Sequence, residues 1–325
     1  MYKIEKRLII TLAFIFVLFI NLTAHAAEAV KDTTTETKDA IPAKIEVVDQ
    51  KTDDNIDFSK YKAQSQQDLD KNSRKEIEST IYKLNKYANN QNFNAVKELI
   101  SDSYINNDGF DKKSYLELMK HSWELYPKLK YAVTIKDVSI NGDHARVTIS
   151  DEAVGKLSNP NTNLEKTGII KTTSESVVYL QRYGYDWKIQ SEMITDEKTV
   201  LAYSDAQFMK MDLFSPSLVS EDAYYTAKLK VDIPKEYVLF ASINNEKITF
   251  PQDLPKEVFK TISSDGTLER VLRANDEKKN EYTVASIGIT RPMFNKDNSV
   301  SVKITGMAFI MSRVNTIKEK QEYTL

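Results

Sequence analysis

Apolar residues recur at helical spacing through the first patterned part of the chain. A first helix is predicted to begin at Ser73, because Ser73 and Glu76 have the spacing of a capping box. The apolar residues that share one face of this helix are Ile77, Ile81, Leu84 and Ala88. A shorter helix is predicted over residues 93–100, and Asp111 is the predicted N-cap of a third helix that Pro127 stops.

After Pro127 the period of the pattern changes from 3.6 to 2, which predicts β-strands. The apolar positions move from odd numbers, ending at Ile135, to even numbers, beginning at Val138. One extra residue near Asp137 would produce that change, so we expect a β-bulge there. Asn141-Gly142 then predicts a hairpin turn.

A long strand is predicted over residues 168–182. The turn of residues 183–186 follows it, and a last strand places Trp187 and Ile189 on one face. Three helices followed by a meander of long antiparallel strands predict an α+β domain with a conical interior.

Two stretches resemble the NTF2-like superfamily. The stretch IYKLNKYANNQNFNAVKELISDSYINNDGF, residues 81–110, is similar to its opening helix pair, and YGYDWKI, residues 183–189, resembles its closing turn and strand. The resemblance covers about residues 72–200 and implies a cone of three helices on a curved antiparallel sheet. The superfamily includes ketosteroid isomerases, SnoaL-type cyclases and many binding or assembly domains, and its members often form homodimers through the sheet.

The last part of the chain shows short strand signals separated by turns. Strands are indicated by segments such as YYTAKLKVDI, EYTVASIGI and VSVKITGMAFIMSRV. This pattern predicts a β-sandwich-like domain over residues 218–325, with one short helix near residues 256–262. The predicted order is an α+β NTF2-like domain, residues 72–202, a connector, residues 203–217, and the all-β domain.

The N-terminus has the pattern of a secretory signal peptide. A basic segment, residues 3–7, precedes the apolar stretch Leu8–Leu22, and Ala24-His25-Ala26 forms a small-x-small cleavage site. The alternative is an uncleaved anchor helix, which needs about 20 apolar residues. Leu8–Leu22 has 15. We therefore predict cleavage after Ala26, with residues 1–26 as signal peptide and residues 27–71 as a flexible linker.

The composition of the mature chain narrows its partners. Cleavage leaves 299 residues with 42 basic and 46 acidic side chains, a formal net charge of −4. This balance gives no electrostatic reason to bind nucleic acid or an anionic membrane. The chain has no cysteine, which excludes disulfides and a lipid-modified cysteine. The mature chain lacks an Asn-x-Ser/Thr site, which favours a bacterial protein exported to the periplasm or the cell exterior.

Asp108 is the one candidate catalytic residue. In the isomerases of the superfamily a carboxylate just after the second helix acts as a general base, and the resemblance places Asp108 near that position. The assisting tyrosine of the first helix falls near Leu84 here, so the oxyanion donor of that chemistry is missing. The alternative is structural, because Asn107-Asp108-Gly109 is a favoured turn before a helix.

No metal or cofactor site is predicted. The histidines of the mature chain, His121 and His144, have the spacing of neither a zinc site nor a catalytic triad. No Gly-rich phosphate loop occurs, and neither Asp53-Asp54 nor residues 295–299 has the spacing of an EF-hand loop.

Five aromatic residues are predicted to project toward the interior of the cone or its rim: Trp123, Tyr126, Tyr131, Tyr179 and Trp187. Core packing is the usual role of large aromatic side chains. Contact with an apolar ligand at the open end of the cone is the other role.

These patterns predict an exported, non-enzymatic binding or assembly protein. Its NTF2-like domain is expected to bind a small apolar molecule or an envelope protein. An isomerase or cyclase that uses Asp108 as general base is the first alternative. An envelope secretion-system scaffold is the second, although such scaffolds usually keep a membrane anchor and the cleavage site predicts no stable anchor here.

Overall fold

The computed structural model describes residues 66–157, 168–250, 257–294 and 300–318. The predicted signal peptide, residues 1–26, and the predicted linker up to residue 65 lie outside the described residues. In the described parts of the chain no helix is both long enough and apolar enough to cross a membrane.

Three helices open the described chain: α1 Gln66–Asn89, α2 Phe93–Leu99 and α3 Lys112–Leu125. Asn92 caps α2, since its side chain accepts a hydrogen bond from the backbone N–H of Ala95 at 3.1 Å. Asp111 caps α3 as predicted, accepting from the N–H of Ser114 at 2.8 Å. The predicted apolar face of α1 is confirmed, because Ile77, Ile81 and Ala88 are buried and Leu84 packs against them.

The start of α1 differs from the prediction. The helix begins at Gln66, so Ser73 lies in its interior and does not cap it. The Ser73 hydroxyl instead accepts a hydrogen bond from the Arg182 guanidinium at 2.6 Å, and Glu76 forms an ion pair with the same group at 3.6 Å. A tertiary contact thus uses the two residues that local spacing assigned to a cap.

Thirteen strands account for most of the remaining described residues. Those of the first part are β1 Ile100–Asn106, β2 Lys130–Asn141, β3 His144–Leu157, β4 Gly168–Tyr183 and β5 Asp186–Ser204. A 3-10 turn, Asp205–Phe208, leads to the remaining strands: β6 Met211–Phe214, β7 Leu218–Ser220, β8 Tyr224–Val231, β9 Val238–Lys247, β10 Lys260–Thr261, β11 Thr267–Arg273, β12 Glu281–Phe294 and β13 Val300–Ile317.

Strands β2 to β5 form the predicted antiparallel meander. The register of β2 on β3 shifts between Ile135 and Asp137, which confirms the predicted bulge. The helices pack on one face of this sheet around a core that includes Val96, Val147 and Leu180. Residues 66–204 contain the predicted resemblance, so we call them the NTF2-like part, and we call residues 205–318 the C-terminal part.

The sheet does not end with the NTF2-like part. Strand β5 is 19 residues long, and its second edge is shared between two partners. Strand β1 pairs with it in parallel near Ile189, and β13 pairs with it antiparallel from Lys198 to Ser204. The result is one ten-stranded sheet whose main path runs β10-β9-β12-β13-β5-β4-β3-β2.

A second, three-stranded sheet, β11-β8-β6, covers the C-terminal end of the large sheet. The two layers enclose a core that includes Leu229, Ile243, Ile287 and Ile310. The sandwich is therefore present as two packed layers, but its larger layer continues into the cone. The short helix predicted near residues 256–262 is absent from the described part of that segment, where Lys260–Thr261 forms β10 on the edge of β9.

The chain turns sharply where β5 ends. Ser204 has φ 53°, a left-handed conformation that is uncommon for a residue other than glycine. Gly306 lies opposite Ser204 on β13, and a Cβ at Gly306 would come within 2.7 Å of the backbone nitrogen of Ala206. Glycine is thus required for β13 to pass this turn.

Candidate functional site

Asp108 lies in the loop between β1 and α3. The Asn106 side chain accepts hydrogen bonds from the N–H groups of Asp108 at 3.0 Å and Phe110 at 2.8 Å. Gly109 has φ +84°, as the predicted turn requires. The local sequence therefore builds a turn, and that turn fixes the direction of the Asp108 side chain.

The Asp108 carboxylate is buried against the C-terminal part. Arg313 of β13 donates to both of its oxygens, at 3.1 Å to Oδ2 and by a shorter bond to Oδ1. Asn280 also donates to Oδ1 at 2.9 Å. The side chains of Arg313 and Asp108 are 0 % and 3 % exposed. This bidentate pair is of the strongest hydrogen-bonded type.

The same arginine reaches two further groups. Its Nε donates to Asn315 at 2.9 Å, and a terminal nitrogen lies 3.9 Å from the Glu197 carboxylate. Tyr282 donates to Glu197 at 2.9 Å. Burial raises the pKa of Glu197, while the charge of Arg313 lowers it. Burial lowers the pKa of Arg313, but the Asp108 carboxylate raises it, so that the arginine pKa lies above its ordinary value.

This network lies at the gap on β5 between its two partners. Asn107 pairs with the backbone of Ile194 through two hydrogen bonds of 3.2 Å. Asn315 donates to the carbonyl oxygen of Thr195 at 2.8 Å. Side chains from both parts of the chain thus form hydrogen bonds with the backbone groups of β5 at the point where no neighbouring strand pairs with it. We call this arrangement of Asp108, Arg313 and Glu197 the junction network.

A second polar cluster lies inside the cone. Burial raises the pKa of Asp151 on β3 to about 7, and the carboxyl groups of Glu192 and Glu175 add to the rise. Burial also raises the pKa of Glu192 on β5, which the nearby Ser176 lowers and Asp108 raises further. Two acids whose protonated forms are favoured thus face the same interior.

Tyrosines surround these acids. The Tyr104 hydroxyl points at Glu192, 3.5 Å from Oε2. The ring centroid of Tyr104 lies 5.1 Å from that of Tyr115, and Glu192 and Asp151 both act on the Tyr115 hydroxyl. Burial raises the pKa of all three cone tyrosines, and that of Tyr131 reaches about 12.

These five residues form one polar group on the inner side of the sheet, where Tyr104 belongs to the core and Tyr115 and Tyr131 pack against it. Burial is the largest influence on Tyr115, Asp151 and Glu192, yet each keeps part of its surface accessible. We call the group the cone recess: Tyr104, Tyr115, Tyr131, Asp151 and Glu192.

Two buried polar atoms beside the cone recess have no hydrogen bond of normal geometry. They are Oγ of Ser176, which is 1 % exposed, and Nε1 of Trp123, which is 6 % exposed. Ser176 lies close enough to Glu192 to lower its pKa, and Trp123 has the same effect on Tyr131. The nearest polar neighbours of the two atoms are therefore the Glu192 carboxyl group and the Tyr131 hydroxyl.

The predicted aromatic set separates into three groups. Trp123, Tyr126 and Trp187 are buried in the core, and Tyr131 lines the cone recess. Tyr179 is 38 % exposed and alternates with the buried Val178 and Leu180, so it lies on the outer face of the sheet.

Trp187 fixes helix α1 to the closing strand. Its indole N–H donates to Glu76 on α1 at 3.3 Å, and the guanidinium of Arg182 lies 4.8 Å from its ring centroid. A tryptophan directly after the 183–186 turn therefore fills the end of the cone and holds the first helix on the sheet.

The sequence carried a signal for one of the two recess acids. Asp151 follows Ala145, Val147 and Ile149 on the inward parity of β3, where an acid is exceptional. Glu192 carried no such signal, because a register shift between β4 and β5 reverses the parity after Ile189. Among the described residues no group of three or more His, Cys, Asp or Glu could hold a metal ion.

No protein-family model matches the chain. No curated protein matches it in sequence. Solved structures similar to it include the hexachlorocyclohexane dehydrochlorinase LinA-type3 from Novosphingobium barchaimii, at 15 % identity over 39 % of this chain and 88 % of that one, TM-score 0.32. A candidate dehydratase of the NTF2-like family from Streptomyces avermitilis matches at 12 % identity over 38 % and 95 %, TM-score 0.32.

A candidate scytalone dehydratase from Novosphingobium aromaticivorans matches at 11 % identity, over 39 % of this chain and 86 % of that one, with TM-score 0.34. These structures, one of them described as a member of the NTF2-like family, each align with about 38 % of this chain. Likeness at this identity concerns the fold and not the chemistry.

Proposed function

We propose that this is an exported binding or assembly protein that does not act as an enzyme through Asp108. Its NTF2-like part binds a small molecule in the cone, or a protein partner, and its C-terminal part extends the same scaffold. The observation that carries the proposal is the engagement of Asp108 by Arg313 and Asn280.

A general base needs a carboxylate oxygen that can reach the proton of a substrate. Both oxygens of Asp108 already accept hydrogen bonds, and its side chain is almost fully buried at the junction. The position that would serve catalysis in an isomerase therefore serves to join the two parts of this chain.

A second candidate function is acid–base catalysis in the cone recess. Asp151 favours it, because a carboxyl group with a pKa of about 7 is matched to proton transfer near neutral pH. This function differs from the predicted isomerase in its base, and it leaves Asp108 without a chemical role. Product formation from a host metabolite extract, lost in Asp151→Asn and kept in Asp108→Asn, would establish it in place of simple binding.

Export and assembly belong to the same proposal. A cleaved signal after Ala26 predicts a mature protein that begins at Ala27 and leaves the membrane on fractionation. A mature protein that stays with the membrane would favour the envelope scaffold. Dimerisation through the outer face of the sheet is tested by light scattering of the purified mature chain.

Native mass spectrometry of the mature protein from its own host tests binding directly. We expect a bound small molecule, reduced or lost in Tyr115→Leu and retained in the matched control Tyr179→Leu, since Tyr179 lies on the outer face. Wild-type protein that carries nothing from its host, and that captures no envelope protein on crosslinking, would contradict the proposal.

A further inference from the structure

We propose that a cleft at the start of β9 binds a small organic carboxylate that carries an apolar group. The cleft lies in the C-terminal part, where the turn of residues 234–237 meets Arg291 and Pro292 of β12. The inference goes beyond the proposed function, because it concerns a second site outside the cone and does not depend on what the cone binds.

The cleft has the size of a site for a small molecule. Its volume is about 480 Å³, and it opens to solvent. Sites that hold small ligands commonly measure about 300–1,000 Å³. The residues that line the cleft are Lys235, Glu236, Tyr237, Val238, Arg291 and Pro292. One wall therefore comes from the turn before β9 and its first residue, and the other comes from β12.

The turn before β9 presents two opposite charges at the cleft. The N–H of Tyr237 donates to the carbonyl oxygen of Pro234 at 3.0 Å, which closes a β-turn with Lys235 and Glu236 at its centre. Both central residues are exposed and line the cleft. Glu236 forms an ion pair with Arg291 at 3.6 Å. Lys235 forms no ion pair with any other described residue, so its charge is available to a ligand.

Arg291 is held in position on the other wall. One of its terminal nitrogens donates to the Tyr237 hydroxyl at 2.7 Å, and its guanidinium lies 4.6 Å from the centroid of the same ring. The Tyr237 hydroxyl donates in turn to Asp205 at 3.1 Å. A guanidinium has five N–H donors, and these contacts use only some of them. The arginine is therefore ordered before a ligand arrives, which lowers the entropic cost of binding.

The charges around the cleft favour a ligand with one negative charge. Lys303 on β13 lies directly opposite Arg291 in the strand register, and like charges in opposite positions repel each other. With Lys235 there are three basic groups, and they are countered by two carboxylates, Glu236 and Asp205. A ligand with a single negative charge restores the balance, whereas Glu236 would repel a doubly charged phosphate group more strongly.

The apolar part of the lining distinguishes an organic anion from an inorganic one. The side chain of Val238 is 46 % exposed, although it belongs to a strand. Pro292 and the ring of Tyr237 line the same cleft. A ligand with an apolar group beside its carboxylate can cover this surface while the carboxylate reaches the basic groups, and removal of apolar surface from water favours binding.

The experiment uses 3-phenylpropionate as the probe on the full mature chain, with titration calorimetry near neutral pH. Uncharged 3-phenylpropanamide tests the charge, acetate tests the apolar group, and 2-phenylethyl phosphate tests the preference for a single charge. We expect 3-phenylpropionate to bind at least about fivefold more tightly than the amide or acetate. The phosphate ester should bind no more tightly than the carboxylate.

Two variants should change the affinity in opposite directions. Lys235→Gln should weaken the binding of 3-phenylpropionate at least about threefold, because it removes the basic group that has no other partner. Glu236→Gln should strengthen binding about twofold or more, because it removes a carboxylate that competes for Arg291. Damage to the fold does not produce a gain in affinity, so the opposite signs are specific to a site at this turn.

Matched controls make the same changes elsewhere. Lys120→Gln removes an exposed lysine from α3, and Glu269→Gln removes a carboxylate that lies 2.7 Å from Lys228 on the three-stranded sheet. Neither change should alter the affinity for the probe. Tyr115→Leu, which tests binding in the cone, should also leave it unchanged. Circular dichroism confirms the fold of each variant.

Equal binding of 3-phenylpropionate and its amide would overturn the carboxylate assignment, and so would tighter binding of the phosphate ester. Binding that neither Lys235→Gln nor Glu236→Gln changes, or that Tyr115→Leu abolishes, would place the probe elsewhere and overturn the site. Absence of binding at about 10 mM probe would overturn the inference as well. The proposed function fails separately, when the host-purified protein carries neither a small molecule nor a protein partner.

Discussion

Replacement of Arg313 with methionine tests how strongly the junction network joins the two parts of the chain. Arg313 is fully buried, donates to both oxygens of Asp108 and lies 3.9 Å from Glu197. Its removal leaves two carboxyl groups in a buried site without their cation. Breaking a buried pair from one side costs about 3–5 kcal/mol of unfolding free energy. We expect a loss in that range for Arg313→Met.

The double variant Arg313→Met, Asp108→Asn should recover a large part of this loss, because it removes the uncompensated charge along with the arginine. Lys171→Met supplies the surface control. Its partner Glu152 is about half exposed, so the loss should stay below about 1 kcal/mol.

Urea unfolding followed by two probes measures these free energies. Both tryptophans, Trp123 and Trp187, belong to the NTF2-like part, while circular dichroism reports the whole sheet. Coincident transitions are expected in the wild type, since one sheet runs through both parts. A loss below about 1 kcal/mol for Arg313→Met, or no recovery in the double variant, would refute the reasoning.

Three further predictions address packing, the turn after β5 and pH. Trp187→Ala should cost about 3–5 kcal/mol in urea unfolding, and a loss near zero would mean that the indole does not fill the cone. Gly306→Ala should cost about 1–3 kcal/mol, because the new Cβ lies 2.7 Å from the Ala206 nitrogen; unchanged stability would show that the turn can move. Burial raises the pKa of Asp151 from 3.8 to about 7, so the native state binds the extra proton and stability falls as pH rises between those values. Asp151→Asn should make that fall shallower in thermal unfolding from pH 4 to pH 8, and identical slopes would show that Asp151 does not titrate as described.

Local sequence signals predicted the elements of the NTF2-like part well. Helical spacing located α1 to α3, the Asp111 cap marked the start of α3, and a change of parity located the β2 bulge near Asp137. Strand β1 escaped prediction, because ISDSYIN has little alternation and is a strand through its parallel pairing with β5. The pairing of β13 with β5 was not predicted either. The two strands are far apart in the sequence, and no hairpin turn connects them that would indicate their contact.

The candidate site shows the same division between local and distant information. The turn around Asp108 was readable from three adjacent residues, but its partner Arg313 lies 205 positions away. That partner bears on the role of the carboxylate, because an acid in a turn can serve as a base only if one of its oxygens can reach the proton of a substrate. Asp151 shows the converse case. Its inward parity on β3 was visible in the sequence, but the meaning of a buried acid depends on what faces it. Glu192, Tyr104 and Tyr115 supply that context, and none of the three was among the predicted site residues.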